Sequence, residues 1–278
     1  MKKWNLIIDV AKCHDCNDCF LSCKDEYWEN DFPPYSAAQP RHGHRWINIM
    51  RKERGQYPKV DVVYLPTPCM HCDDAPCIKA AKKDAIYKRD DGIVVIDPEK
   101  AKGQKNLVKS CPYGVIYWNE EKSLPQKCTL CVHLLEDGWK EPRCVQACPT
   151  GALSVVCAED SEMEKIKKSE SLEVYQPEYK AKPRVYYKNL HRYTRCFVAG
   201  SVALQDIDEC AEGAEITLRQ GAKKVVDKTV TNNYGDFKID NLEEESGKYV
   251  LEVAYKGYEK KTVEVDVKTS VNLGTIFL

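Results

Sequence analysis

Four cysteines near the start of the chain constrain its fold more than any other feature. They are spaced two, two and three residues apart in the run C-x2-C-x2-C-x3-C, which comprises Cys13, Cys16, Cys19 and Cys23. This spacing puts three thiolates on one tight loop and the fourth on the helix that follows. Bacterial ferredoxins use it to bind iron–sulfur clusters, and the fourth cysteine binds the other cluster of a pair. The run therefore predicts a ferredoxin-like loop.

A second cysteine group lies in the segment C-M-H-C-D-D-A-P-C and is made up of Cys69, Cys72 and Cys77. At the position where a ferredoxin motif would supply a fourth ligand, the chain has Ala81. Further along, residues 98–114 fit the template C-x2-C-x2-C-x3-C-P only at its end, where Cys111 precedes a proline. This segment is therefore interpreted as a ferredoxin motif that lacks three of its ligands.

The last cysteine group consists of Cys128, Cys131, Cys144 and Cys148, with twelve residues between its two pairs. Two cysteine pairs at such a distance also suit a four-thiolate zinc site, so zinc is an alternative for this group alone. However, the ending C-P-T-G at Cys148 repeats the ending C-P-Y-G at Cys111. This repeat favours an iron–sulfur site.

A ligand count follows from the exchange of the fourth cysteine between paired motifs. If the first motif pairs with the last, and the second with the third, three ligand sets are complete. Cluster 1 takes Cys13, Cys16, Cys19 and Cys148; cluster 2 takes Cys128, Cys131, Cys144 and Cys23; cluster 3 takes Cys69, Cys72, Cys77 and Cys111. A fourth cluster would need thiols at Ala81, Ala101, Gln104 and Leu107. Because all the missing thiols belong to one cluster, we predict three [4Fe–4S] clusters and one emptied site filled by side chains.

The remaining cysteines, Cys157, Cys196 and Cys210, are expected to be buried or free thiols. A secreted disulfide framework is the alternative for a chain with 15 cysteines, but such frameworks belong mostly to short chains. Clusters require reduced thiolates, which oxidation destroys. The expected setting is therefore reducing and anaerobic.

Charge and hydropathy exclude several classes of function. The chain has 42 basic and 43 acidic residues, so it shows no basic footprint for nucleic acid. No apolar run approaches the roughly 18 residues of a membrane span. The opening MKKWNLIIDV is predicted to be a strand and not a signal segment. A cytoplasmic location is expected, with carriage on a partner's export signal as the alternative.

The pattern of elements predicts an α+β fold with two parts. Residues 1–156 are expected to form a duplicated bacterial-ferredoxin-like domain, with an insertion at 29–68 that is either a loop in solvent or a strand-containing segment against a partner. Residues 157–196 are expected to be a linking segment. From 197 to 278 the chain alternates short strands and turns with no helix signal, which predicts a seven-stranded β-sandwich or barrel. Its motifs resemble the transthyretin-like, collagen-adhesin B-type and carboxypeptidase-regulatory modules.

The four-motif half resembles the iron–sulfur electron-transfer subunits of the dimethyl sulfoxide reductase family of molybdopterin enzymes. Within that family the emptied cluster, the appended β domain and the segment R-H-G-H-R-W-I-N-I at residues 41–49 resemble the pyrogallol–phloroglucinol transhydroxylase type. The resemblance implies a non-catalytic subunit, expected to pair with a large subunit that carries molybdenum or tungsten on two pterin guanine dinucleotides. Aromatic substrates would bind there. It also implies that loss of the fourth cluster removes the exit to a membrane-anchor subunit.

Two other functions are compatible with the same residues. A reductive catechol dehydroxylase, or another molybdopterin reductase, would use the same type of subunit but pass electrons at every turnover. A free-standing polyferredoxin with a binding module would have no large partner. No nucleophile–base pair or nucleotide-binding glycine loop accompanies the cysteines, so the sequence predicts electron transfer and no bond chemistry on this chain.

Overall fold

A computed structural model describes residues 1–221 and 224–278 of the chain. The chain divides into two compact units. The first unit comprises residues 1–50 and 64–190, and the second comprises residues 51–63 and 191–278. The tip of the hairpin in the insertion therefore belongs to the second unit, which the sequence did not predict. The domain boundaries drawn from the sequence stay a prediction.

The first unit consists of short helices and strands between the cysteine loops. Its helices are α1 (Asp18–Tyr27), α2 (Pro76–Ala80), α3 (Val132–Glu136), α4 (Arg143–Gln146) and α5 (Asp160–Ser169), with 3₁₀ turns at Lys105–Ser110 and Pro177–Tyr179. The strands up to residue 190 are β1 (Lys3–Asp9), β2 (Ile47–Gln56), β3 (Lys59–Pro68), β4 (Ile86–Lys88), β5 (Val94–Ile96), β6 (Tyr117–Asn119), β7 (Leu124–Gln126), β8 (Leu153–Ala158) and β9 (Val185–Lys188). Strands β2 and β3 form the hairpin that the two units share.

Strand β1 is the centre of a three-stranded sheet in the order β8-β1-β9. Leu6 lies opposite Val155 of the antiparallel β8 and opposite Val185 of the parallel β9. On one face of β1, Ile7 packs in a small apolar cluster with Met163 of α5. The predicted linking segment thus contributes a helix and a strand to the first unit.

Two short hairpins connect the cysteine loops. In the first, Ile86 of β4 pairs with Ile96 of β5. Gly92 at its turn has a φ of 85°, a left-handed conformation that glycine adopts without strain. In the second, Tyr117 of β6 pairs with Gln126 of β7. Each hairpin ends close to a cysteine loop and so fixes the position of that loop.

The second unit is a sandwich of two four-stranded sheets. It contains α6 (His191–Thr194) and the strands β10 (Cys196–Leu204), β11 (Glu209–Cys210), β12 (Glu215–Gln220), β13 (Lys224–Val230), β14 (Asp236–Leu242), β15 (Gly247–Ala254), β16 (Lys261–Val267) and β17 (Val271–Phe277). One sheet has the order β13-β12-β15-β16, and the other has the order β11-β10-β14 with β17 parallel to β10. Both sheets contribute to one apolar core, in which Val198, Leu218 and Leu251 are buried.

All seven strands predicted in the second unit are present in the structure. The additional strand β11 has only two residues, both exposed, so no alternation of apolar and polar residues marks it. The turn before β14 needs Gly235, because a Cβ at this position would lie 2.3 Å from the carbonyl oxygen of Val202. The sandwich prediction is confirmed.

Candidate metal centres

The first cysteine loop leads directly into α1. Asp15 and Asn17 adopt left-handed conformations with φ of 59° and 65°, which Asp and Asn tolerate better than most residues. Arg45 donates a hydrogen bond from Nη2 to the Asn17 side-chain oxygen at 2.7 Å. These turns place Cys19 and Cys23 on α1, behind the loop that carries Cys13 and Cys16.

Thiol set 1 comprises Cys13, Cys16, Cys19 and Cys148. Burial, with repulsion from Cys13 and Cys16, raises the pKa of Cys19 to about 12. Burial also raises the pKa of Cys13, and Cys148 and Cys16 add to the shift. At Cys148 burial acts to raise the pKa, but hydrogen bonds from the backbone N–H of Leu153 and from Thr150 outweigh it and hold the pKa below its usual value. The cysteines of this set therefore lie close enough together for their thiolates to repel one another.

Thiol set 2 comprises Cys23, Cys128, Cys131 and Cys144. Burial raises the pKa of Cys128 to about 12, with Cys69 and Cys131 as further causes. The pKa values of Cys23 and Cys144 also lie well above the usual range, first because of burial and then because of Cys128 and Cys131. The helix α1 therefore brings one thiol to the three that come from the last cysteine group.

Thiol set 3 comprises Cys69, Cys72, Cys77 and Cys111. All of them line one small cavity. Burial raises the pKa of Cys77 to about 11, with Cys69 contributing, and it raises that of Cys72 further, with Cys69 and Cys111 as the next causes. The lone Cys111 is thus next to the three thiols of the second group.

Set 2 interacts with both other sets. The pKa of Cys144 is raised by burial, by its own set and also by Cys19 of set 1. The pKa of Cys128 is raised by burial and then by Cys69 of set 3. Three cofactors held by these sets would therefore be neighbours in the order 1, 2, 3.

The chemistry of the thiols fits an iron–sulfur cluster. Buried thiols that repel one another as thiolates cannot all ionise without a positive charge among them. Metal binding supplies that charge and deprotonates the cysteine ligands. The cavity of set 3 places four such thiols around one enclosed space. In the described parts of the chain, no three His, Cys, Asp or Glu side chains form a group that could hold a single metal ion.

Backbone N–H groups of the loops point at the ligand sulfurs. The N–H of Leu130 donates to Cys128 Sγ at 3.3 Å, and the N–H of His71 donates to Cys69 Sγ at 3.5 Å. Hydrogen bonds to sulfur and burial set the reduction potential of a cluster. These loops therefore both position thiols and affect how easily a cluster on them is reduced.

The four positions of the predicted emptied site all lie in the first unit, and two of them are part of its core. Ala101 and Leu107 are completely buried. The amide of Gln104 donates to the carbonyl oxygens of Lys82 at 3.1 Å and Lys100 at 2.8 Å, and it accepts from the N–H of Lys82 at 3.0 Å. Ala81, where the missing thiol would follow α2, directly precedes Lys82. The Gln104 amide thus holds together the two segments that a fourth cluster would bridge.

Part of the insertion packs against set 2. Trp46 is 1% exposed, and its ring centroid lies 4.6 Å from that of Tyr27, whose hydroxyl is 2.6 Å from Thr129 Oγ1. Gln39 is 3% exposed and directs Nε2 to Cys23 Sγ at 3.9 Å. The expectation of a loop in solvent is wrong for these residues, because they form part of the core of their own unit. The alternative of a strand-containing segment agrees with β2 and β3, and its contact with a partner stays a prediction. Sequence spacing gave no signal for this contact.

The three cysteines outside the sets have the environments expected for them. Cys196 is buried and donates from Sγ to the Leu242 carbonyl oxygen at 3.3 Å. Cys157 and Cys210 are exposed free thiols. None of the three is needed to complete a set.

Two family models match the chain. A 4Fe-4S dicluster domain matches residues 60–158, and a carboxypeptidase regulatory-like domain matches residues 198–277. The first match supports iron–sulfur clusters on this chain, and the second agrees with the β-sandwich. Among solved structures, 5-hydroxyisourate hydrolase of Klebsiella pneumoniae has a TM-score of 0.25 and 14% identity, and the match covers 30% of this chain and 84% of that one. A TM-score this low supports no argument.

The relatives establish the family. The pyrogallol hydroxytransferase small subunit of Pelobacter acidigallici is 48% identical over 282 residues, with 100% of both chains covered. The chain belongs to the iron–sulfur electron-transfer subunits of molybdopterin enzymes. A tetrathionate reductase subunit of Salmonella typhimurium is 31% identical, covering 68% of this chain and 73% of that one. A sulfite dehydrogenase subunit of Allochromatium vinosum is 31% identical, covering 67% of this chain and 83% of that one.

Membership of this family implies a catalytic partner, because the relatives are subunits of larger enzymes. Within residues 1–221 and 224–278, no helix has the length and apolar composition needed to span a membrane. The electron-transfer subunit thus carries the iron–sulfur part of such an enzyme.

Proposed function

We propose that this subunit holds three [4Fe–4S] clusters and conducts electrons to and from a molybdopterin catalytic subunit. The proposed ligands are thiol sets 1, 2 and 3. One observation carries the proposal: twelve of the fifteen cysteines fall into three interacting sets of four, while the four positions of the remaining set hold Ala81, Ala101, Gln104 and Leu107. Independent losses of ligands would have left incomplete sets.

The chain contributes more than ligands. A cluster supplies reversible one-electron chemistry when bound. The protein buries the thiols, directs N–H groups at the sulfurs of Cys69 and Cys128, and covers set 2 with Trp46 and Gln39. Exclusion of water and hydrogen bonding to sulfur are the means by which a protein adjusts cluster potentials. Set 2 lies between the others, so an electron moving between the outer sets would pass through it.

The proposed partner is a large subunit with molybdenum or tungsten on two pterin guanine dinucleotides, acting on phenolic aromatics. Support comes from the 48% identity to the pyrogallol hydroxytransferase small subunit over the whole of both chains. Moving a hydroxyl group between two phenols causes no net oxidation or reduction. The clusters would therefore hold the metal centre in its active oxidation state, or return it to that state after oxidation. A filled fourth site also supports a complex without a membrane-anchor subunit.

The test is whether turnover consumes electrons. The complex, purified anaerobically from its host, is reduced once and then mixed with a pair of polyhydroxybenzenes, with and without a continuous electron donor. The proposal expects equal rates of hydroxyl transfer in both cases. Turnover that stops without the donor, and consumes its electrons in proportion to product, would instead establish a reductase.

A second arm tests the role of the clusters. In the Cys72→Ser variant, one ligand of set 3 is replaced, and the complex is expected to lose one cluster and recover from oxidation more slowly. Unchanged activity and unchanged recovery after proven loss of that cluster would contradict the proposed poising role.

A further inference from the structure

Lys127 is a buried lysine next to the thiol sets. It lies between β7 and Cys128, and it is only 2% exposed. Its ammonium group donates to the carbonyl oxygens of Val94 and, at 3.0 Å, of Cys128. Throughout the described residues, no Asp or Glu forms an ion pair with it. A cation in such a position is costly unless an anion compensates it.

The groups that face Lys127 are the thiols of two sets. Lys127 lines the cavity of set 3 together with Cys77 and Cys111. It also donates to the carbonyl oxygen of Cys128, a member of set 2, at 3.0 Å. Because one ammonium group lines the cavity of set 3 and binds the backbone of set 2, Lys127 lies where sets 2 and 3 adjoin.

A nearby lysine shows why Lys127 is distinctive. Lys88 also donates to loop carbonyls, those of His71 at 3.0 Å and Cys72 at 3.1 Å. Its ammonium group, however, lies 2.9 Å from the carboxylate of Asp73 and forms an ion pair with it. Among the described residues, Lys127 has no carboxylate beside it, so its charge is available to an anionic group bound at sets 2 and 3.

We propose that Lys127 raises the reduction potentials of the clusters on thiol sets 2 and 3 by supplying a fixed positive charge between them. Reduction adds one negative charge to a cluster, and a nearby cation in a buried site stabilises the more negative state. Lys127 thus makes the clusters of sets 2 and 3 better electron acceptors than the thiol environment alone would. The inference rests on the proposed function, since it needs clusters at both sets.

The test is an anaerobic redox titration of the complex, followed by electron paramagnetic resonance. In Lys127→Met and in Lys127→Gln, which keeps polar atoms for the carbonyls, two of the three midpoint potentials are expected to fall. The expected loss is about tenfold in the one-electron reduction equilibrium, which corresponds to about 59 mV. The third potential, assigned to set 1, is expected to stay unchanged. Lys127→Arg, which keeps the charge, is expected to remain near the wild-type values.

The matched control is Lys102→Met, which removes the same charge from a side chain that is 56% exposed and paired with Glu99. It is expected to shift no potential. Iron is measured in every sample. Unshifted potentials in neutral variants that keep their iron, equal shifts of all three potentials, or loss of iron in the Arg variant as well as the neutral ones would each overturn the inference. A wild-type complex with fewer than three cluster signals would refute the proposed function instead.

Discussion

Replacing Gln104 by Leu tests the physical account of the emptied site. The substitution removes one amide that makes three hydrogen bonds, of 2.8 to 3.1 Å, with the backbone of Lys82 and Lys100. A neutral hydrogen bond contributes about 0.5–1.5 kcal/mol net. Gln104 is only partly buried, so water replaces some of what is lost. We therefore expect local destabilisation of about 2 kcal/mol, which is roughly a 30-fold increase in the population of open states.

The assay is native-state hydrogen exchange, read at the Lys82 amide that donates to Gln104. Exchange there is expected to accelerate about 30-fold, following the change in the local opening equilibrium. Gln104→Glu is the matched control: it keeps an acceptor for the Lys82 N–H but loses both donors, so intermediate acceleration is expected. Iron content is expected to stay constant, because Gln104 is not a proposed ligand. Unchanged exchange at Lys82 in the Leu variant would refute the reasoning.

Four further predictions concern the thiols and the second unit. The Cys72→Ser subunit is expected to contain about four iron atoms fewer than wild type by elemental analysis, since one cluster loses a ligand. In the metal-free chain, iodoacetamide is expected to modify Cys148 at lower pH than Cys131, because hydrogen bonds lower the pKa of Cys148 whereas burial raises that of Cys131 to about 11; mass spectrometry after alkylation at several pH values detects the order. Arg54→Met is expected to destabilise the second unit by about 3 kcal/mol, the lower end for breaking a buried pair, as seen by hydrogen exchange along β14. Wild type itself is expected to lose this stabilisation as the pH falls below 4 and through about 2. Burial alone would raise the pKa of Asp240, but the ion pair with Arg54 outweighs burial and lowers this pKa to about 2.

Local patterns in the sequence predicted much of this fold. The cysteine spacing grouped the thiols because loop geometry fixes which residues of a ferredoxin motif converge. The alternation of short strands and turns from residue 197 onward predicted the sandwich, since this signal depends only on neighbouring residues. The ligand assignment itself stays a prediction, which iron analysis can test.

Contacts between distant segments were not predictable in this way. Trp46 and Gln39 lie over set 2 although nothing in the composition of residues 29–68 marks them as core. Gln104 donates a hydrogen bond to the backbone of Lys82, and a lone glutamine carries no spacing signal. Lys127 next to Cys128 appears in the sequence as an ordinary charged residue. Its burial becomes visible only when β5 and β7 are placed beside it.

Native mass spectrometry of the complex purified anaerobically from its host tests the central claim most directly. The account predicts that this chain is in complex with a large, pterin-bearing partner, and that about twelve iron atoms stay on the chain after dissociation, since each cluster contains four. About sixteen iron atoms would contradict the emptied site, and about eight would contradict the third set. Zinc in place of iron would contradict electron transfer altogether.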